Sequence, residues 1–416
     1  MLTPEENETL TRVGPTAPMG RFLRRYWVPA LLAEEVPPPG GAPVRCRILG
    51  EDLVLFCDQD GHLALLDEHC AHRRASLYYG RNEGVGLRCV YHGWMFDRHG
   101  QCIDMPSEPP ESAFKEKVRI AAYPAVVQAG VVWAYLGPGE PPPLPAMEWM
   151  TLPASHCVVS KHLAECNWFQ VLEGAIDSSH ISFLHRLSDP AHPKNRFEQL
   201  KLGDPHPRFE VAETPYGLAV GARRSVGDDQ YWWRITQYLC PYYTLIPPVE
   251  EGWIGAFFVA PIDDTATWVF RARYHPEKPQ TQNYPTPDRY EPGTYRLARN
   301  RDNEYRIDRE AQLNGTSYTG IDGIAEQDLM VAETEGVIYD RTLERLGTSD
   351  VGIIRCRQYL LHHVAAFLAG ATPPNLDPRE HRVRPVSMIL PRSVPFMEGA
   401  REAMRASPGV PVFVVA

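Results

Sequence analysis

The sequence predicts an α+β protein in two parts: an N-terminal domain of short β-strands and a larger domain mixing helices with strands. Three observations predict this. Residues 43 to 105 carry strand-length apolar runs separated by turn residues. The stretch GPGEPPPLP, Gly137 to Pro145, can lie neither inside a helix nor in a central strand. Beyond it, helical patterns are interleaved with aromatic-rich strand segments. The domains are accordingly placed at residues 1–145 and 146–416.

In the first domain, PVRCRIL and DLVLFC are separated at Gly50-Glu51. Asp58-Gln59-Asp60-Gly61 then turns into HLALLD, and Asp97-Arg98-His99-Gly100 turns WMF into QCID. In the second domain, NWFQVLEGAIDSSHISFLHR, Asn167 to Arg186, reads as a helix. QYWWRITQYL and WIGAFFVA read as strands. A later helical stretch runs from about Ile321 to Leu346, with Ala325, Leu329 and Ala332 at helical spacing and a break possible at Gly336.

With 416 residues, the chain can build two or three packed domains. Its net charge of −10 argues against nucleic acid as a partner. No apolar run reaches membrane-spanning length. The start, MLTPEENETLTRV, lacks the basic and apolar segments of a secretory signal, which predicts a cytoplasmic protein. Its nine cysteines are then reduced thiols or metal ligands. Seven of them, Cys46, Cys57, Cys102, Cys157, Cys166, Cys240 and Cys356, have no paired spacing and read as small buried residues. There is no GxGxxG or GxxxxGK loop, so bound NADH or ATP is not expected.

Four residues near the first hairpins carry chemistry. Cys70 and His72 are separated by one residue and Cys89 and His92 by two, with 16 residues between the pairs. A tetrahedral zinc site is one reading, although zinc sites more often pair like with like. A Rieske [2Fe–2S] cluster is the other, each loop giving its Cys to one iron and its His to the second. Neutral imidazoles in place of two thiolates raise the potential to about −150 to +300 mV. Tyr91-His92-Gly93-Trp94 adds a tight turn and apolar shielding.

A second pattern is E-x3-D-x2-H-x4-H, formed by Glu173, Asp177, His180 and His185. On an ideal helix the first three share a face, whereas His185 lies roughly 140° from His180. Both imidazoles reach one metal only if the helix widens or breaks there, as at a π-type bulge. Two histidines and a carboxylate on one side of Fe(II) leave positions open for O2 and substrate. Composition does not choose the carboxylate; Asp322, Glu326, Asp328 and Glu333 are all candidates.

Together these segments make the chain resemble the catalytic α subunit of a Rieske non-haem iron aromatic ring-hydroxylating oxygenase. It is most similar to the phthalate dioxygenase-like group. The resemblance also rests on MLTPEENETLTRV, APMGRFLRRYW, TLIPP and EQDLMVAETEGVIYDRTLERLGTSD. It implies an all-β Rieske domain followed by a helix-grip catalytic domain with a curved antiparallel sheet. It implies cluster ligands Cys70, His72, Cys89 and His92, iron ligands His180, His185 and Asp328, and Asp177 as the bridge between centres. That bridge is expected to join neighbouring subunits of a homotrimer or stacked hexamer. The electron donor implied is an NADH-dependent reductase with FMN and a plant-type [2Fe–2S] cluster. An aromatic carboxylate such as a phthalate or benzoate is the implied substrate, with cis-dihydroxylation the implied outcome. Its anion is expected to meet Arg208 and Arg234, with Ser179 as hydroxyl partner and Arg223 and Arg224 as the nearest alternatives. RLSDPAHPKNRFEQL departs from the phthalate-acting pattern, which leaves other aromatic acids open. O-demethylation or aryl-ether cleavage would use the same metals. A Rieske electron carrier needs no second domain, and a zinc interaction module would contain no inorganic sulfide.

Overall fold

The computed structural model describes residues 1–109, 111–186, 196–248, 252–280 and 289–407. It divides into two compact units. One comprises Val13–Pro142 with Ala260–Asp263; the other comprises Met1–Arg12, Pro143–Val259 and Asp264–Ala416. The N-terminal helix Pro4–Thr11, capped by Thr3 and Glu6 in a capping box, therefore packs with the larger unit. The division at residue 145 had placed it with the first domain.

The smaller unit is built of hairpins. Val44–Ile48 and Glu51–Cys57 pair antiparallel with Ile48 opposite Glu51. The turn is therefore Leu49-Gly50, both at positive φ (50° and 79°), one residue earlier than the dipeptide suggested. Glu51–Cys57 pairs in turn with Leu63–Asp67. Asp58 closes the intervening loop, its carboxylate accepting from the Asp60 and His62 amides. The second small sheet joins Arg81–Asn82, Leu87–Arg88, Met95–Phe96 and Cys102–Asp104. Its last turn is closed in the same way, by Asp97 accepting from the His99 and Gln101 amides. The two paired cysteines sit in one apolar cluster with Phe56, Leu66, Leu87, Trp94 and Phe96.

The larger unit carries an eight-stranded sheet. From one edge it runs Cys157–Ala164, Thr267–Tyr274, Ile254–Pro261, Tyr243–Ile246, Gln230–Leu239, Gly217–Val226 and Arg208–Thr214. Val386–Pro391 pairs with the first half of Gln230–Leu239. Every described pairing is antiparallel. The 18-residue helix Val351–Leu368 packs against Arg208–Thr214 and Gly217–Val226, giving the helix-grip arrangement.

Two helices are shorter than their sequence patterns. Asn167 caps a helix that ends at Ile176, and Asp177 is already extended. The reason is local: the Asp177 carboxylate accepts from the Ser179 and His180 amides, offering the backbone a turn in place of another helical bond. The predicted common face of Glu173, Asp177 and His180 is therefore not formed. Glu173 is buried against Arg341 and Arg357 as a structural ion pair. The later helix spans Ile324–Thr334 and stops before Gly336, which takes φ 110°.

Candidate functional site

Cys70 and His72 lie on one loop and Cys89 and His92 on another, each closed by backbone bonds. The Cys70 amide donates to Ala75 O, and the Cys89 amide donates to Trp94 O at 2.8 Å. Gly93 takes φ 80°, and a Cβ there would lie 2.5 Å from Pro106, so the turn needs glycine. Arg88 holds the Gly93 carbonyl and pairs with Asp104 at 2.7 Å.

The two imidazoles meet edge to face at 4.4 Å, and Trp94 stacks on His72 at 4.4 Å. Both Nδ1 atoms are buried without a partner, whereas the rings themselves are half-buried and their Nε2 atoms reach the surface. Both cysteines are buried. Burial pushes the Cys70 thiol up to about 11, with Cys89 beside it adding to the rise. Two inward-facing thiols and two orphaned imidazole nitrogens fit a [2Fe–2S] cluster, whose irons supply the missing positive charge.

In the larger unit His180 opens a short 3-10 turn, His180–Ser182, and His185 follows it. Of the two expected routes, widening or a break, the helix takes the break, which brings the rings together with Nε2 atoms 3.1 Å apart. Asp328, from the helix Ile324–Thr334, places Oδ1 3.0 Å from His185 Nε2 and 4.0 Å from His180 Nε2. The tautomers are fixed from behind. His180 Nδ1 donates to Asp177 Oδ2 at 3.1 Å, because a carboxylate can only accept. Gln327 Nε2 donates to the Ile321 carbonyl at 2.8 Å, so its Oε1 faces His185 Nδ1 at 2.7 Å and accepts from it. Both Nε2 lone pairs therefore point at each other and at a carboxylate oxygen, an arrangement that a divalent cation stabilises. Burial raises the Asp177 carboxyl, but bonds from His180 and Ser179 outweigh it and hold the group below the usual carboxylate range.

The rival carboxylates are engaged elsewhere. Glu326 pairs with Arg289, Glu333 accepts from Tyr305 and the Glu165 amide, and Asp322 is exposed beside Arg299.

Residues 26–124 match the Rieske [2Fe-2S] domain family, and residues 134–388 match the family described as LigXa C-terminal domain like. The chain is 42% identical over 389 residues to the oxygenase subunit of phthalate 4,5-dioxygenase from Pseudomonas putida. The match covers 89% of this chain and 88% of that one. This chain belongs to the Rieske non-haem iron oxygenases, in their phthalate dioxygenase-like group. It is 36% identical over 426 residues to the oxygenase subunit of 3-chlorobenzoate-3,4-dioxygenase from Comamonas testosteroni, covering 95% of this chain and 96% of that one. The crystal structure of dicamba monooxygenase bound to dicamba shares the fold at TM-score 0.59 and 18% identity, covering 84% of this chain and 100% of that one. Catalytic domains of Rieske oxygenases bind a mononuclear iron, which the His, His and carboxylate cluster fits.

The oxygenase treats the expected substrate residues unequally. Arg234, on Gln230–Leu239, is 3% exposed; its Nε and Nη1 have no partner among the described residues, and Nη2 donates to Pro247 O at 3.3 Å. Ser179 Oγ is also buried and unpartnered. Arg208 does not join them. It is exposed at the start of an edge strand, directly opposite Arg223. Arg223 precedes Arg224, and Arg234 lies opposite Ala222, so strand alternation puts Arg208 and Arg223 on the face opposite Arg224 and Arg234. In RLSDPAHPKNRFEQL, residues 187–195 lie outside the described residues.

Sequence reasoning missed Gln327 and Lys201. Gln327 adjoins Asp328 in EQD, yet nothing marks a glutamine as a histidine's hydrogen-bond acceptor. Lys201, 1% exposed, donates to the His185 carbonyl at 2.9 Å and pairs with buried Glu198. Its only signal was a lysine in the otherwise apolar run LKL. Among the described residues no helix is long and apolar enough to cross a membrane.

Proposed function

We propose that the oxygenase hydroxylates an aromatic carboxylate, with cis-dihydroxylation as the outcome. The observation that carries this reading is Arg234, a buried guanidinium with no described carboxylate partner, close enough to the metal cluster for its charge to act on His180. Burying an uncompensated cation is costly, and an anionic ligand removes that cost. A carboxylate on Arg234, with Ser179 Oγ as a further donor, would orient the ring toward the open side of the cluster.

In this reading Cys70, His72, Cys89 and His92 hold the [2Fe–2S] cluster, and His180, His185 and Asp328 hold Fe(II). The cluster supplies electrons and the ferrous ion supplies dioxygen activation. Asp177 and Gln327 keep both Nε2 atoms deprotonated toward the metal. The Asp177 side chain remains 19% exposed. It can therefore accept from the surface Nε2 of His92 in a neighbouring copy, passing the electron between subunits of a homotrimer or stacked hexamer. The donor is an NADH-dependent reductase with FMN and a plant-type [2Fe–2S] cluster. The protein is cytoplasmic, which the nine free cysteines support.

Phthalates, benzoates and aryl ethers supplied with NADH, a matching reductase and labelled dioxygen test the reading. A diol carrying two labelled oxygens supports it. A phenol formed by loss of an O-alkyl group from an aryl ether, with aryl acids left unchanged, contradicts it.

A further inference from the structure

His180 and His185 are anchored in different ways. One carboxylate serves His180 twice: Asp177 Oδ2 accepts from the His180 amide at 3.2 Å and from its Nδ1 at 3.1 Å. The His180 carbonyl in turn accepts from the Leu184 amide at 2.8 Å, within the same segment. For His185 the two tasks are split. Gln327 holds the ring. Among the described residues, the His185 carbonyl has one hydrogen-bond partner, the Lys201 ammonium at 2.9 Å.

Lys201 belongs to the helix Arg196–Gly203, 16 residues away in sequence. Its Nζ also pairs with Glu198 Oε1 at 2.6 Å, and both side chains are 1% exposed. A hydroxyl or an amide could satisfy a carbonyl without burying two charges, and burial of an ion pair costs desolvation that its attraction need not repay. What the charge adds is strength, since a charged donor bonds its acceptor roughly twice as tightly as a neutral one. The helix itself is held independently. Phe197 and Leu200 pack on Trp232, Phe197 meeting it edge to face at 5.5 Å, and Ile181 of the His180 turn packs against the same cluster. Lys201 lies one turn beyond Phe197 on the same helix face, so it reaches His185 from a fixed base.

We propose that Lys201 is a positioning residue for His185, with Glu198 as the counter-ion that aims it at the carbonyl. The inference rests on the reading that His185 holds Fe(II). Lys201 sets where the His185 backbone lies, and Gln327 sets how the ring is turned. Without the first, Nε2 drifts from the point it shares with His180 and Asp328. Such a displacement is small enough to spare the fold and large enough to weaken a metal site. Binding of the substrate at Arg234 does not depend on the pair.

Lys201→Met alone would take a buried counter-ion from Glu198, so the test removes both charges together. It uses the full-length holoenzyme carrying Lys201→Met with Glu198→Leu, a charge-neutral change. An apolar pair of similar volume replaces a buried ion pair at little cost, so the thermal midpoint should stay within about 4 °C of the native value. Ferrous affinity, measured by competition with a chelator, should fall about 10-fold. The EPR spectrum of the ferrous nitrosyl adduct should broaden while the Rieske signal is unchanged. With an aryl carboxylate, kcat should fall about 10-fold and KM stay within about 2-fold. Native ferrous affinity and a native nitrosyl spectrum in the folded double variant overturn the proposal. A second measurement needs no variant. If Lys201 ties His185 to its helix, ferrous loading of the native protein should slow amide hydrogen exchange across residues 197–203. Exchange there that is the same with and without iron overturns the proposal even if the double variant does not fold. If His185→Ala keeps native ferrous affinity, the ligand reading fails instead.

Discussion

The two histidine pairs face their metals with opposite edges. In the N-terminal domain His72 and His92 turn Nδ1 inward and leave Nε2 at the surface. In the catalytic domain His180 and His185 turn Nε2 inward, while Asp177 and Gln327 hold Nδ1 from behind. The first arrangement leaves a ligand edge open, which suits a centre that exchanges electrons with another molecule. The second fixes ring and tautomer within the protein, which suits a centre whose open positions must stay aimed at a substrate.

The strongest way to break the comparison is to remove an inward edge. His180→Ala should lower turnover by at least about 1,000-fold, while the visible and EPR signals of the Rieske cluster persist. Loss of those signals would mean that the two sites are not separate. Asp177→Asn keeps the shape but removes the charge. It should slow cluster oxidation in a single turnover by about 100-fold and leave iron content nearly unchanged. Gln327→Leu removes a neutral acceptor and should weaken iron binding by about 10-fold, with Gln327→Glu restoring it. An unchanged iron affinity would show that His185 needs no orienting partner.

A smaller effect comes from His162, buried on Cys157–Ala164 and pressed down from 6.5 to about 3 by burial, with Arg289 and Arg271 adding. The unfolded chain takes up a proton there below pH 6.5 and the folded chain does not. Stability is therefore full above that value and falls as pH drops toward 3. Between pH 6.5 and 5 the loss should reach ~2 kcal/mol, and His162→Gln should flatten that slope in thermal melts. The smallest change is expected at Arg208, exposed on the far face. Arg208→Gln should alter stability by no more than ~0.5 kcal/mol and leave KM within about 2-fold. A large rise in KM would return Arg208 to the substrate site.

The same contrast governs what could be read from the chain. The cluster loops are local: both pairs lie within 25 residues, and their Gly93 turn and Asp-closed hairpins follow from neighbours in sequence. The iron site is assembled from segments over 140 residues apart. Its two histidines were visible as a motif, but their geometry depends on Asp177 ending a helix that periodicity alone continues to Arg186. Asp328 was nominated only through family resemblance. That Arg208 and Arg234 lie on opposite faces of the sheet could not be read from the sequence, because the faces of a strand cannot be assigned until its register is known. Gln327 and Lys201 act through a single side-chain bond and a carbonyl, which leave no periodic trace.

The most direct test of the relay is a single turnover without reductase. Enzyme reduced chemically, freed of reductant and given aryl carboxylate and labelled dioxygen should form up to about one labelled product per iron site as the cluster's oxidised spectrum returns. Product without cluster oxidation, or a cluster that oxidises at the same rate in His180→Ala, would contradict the account.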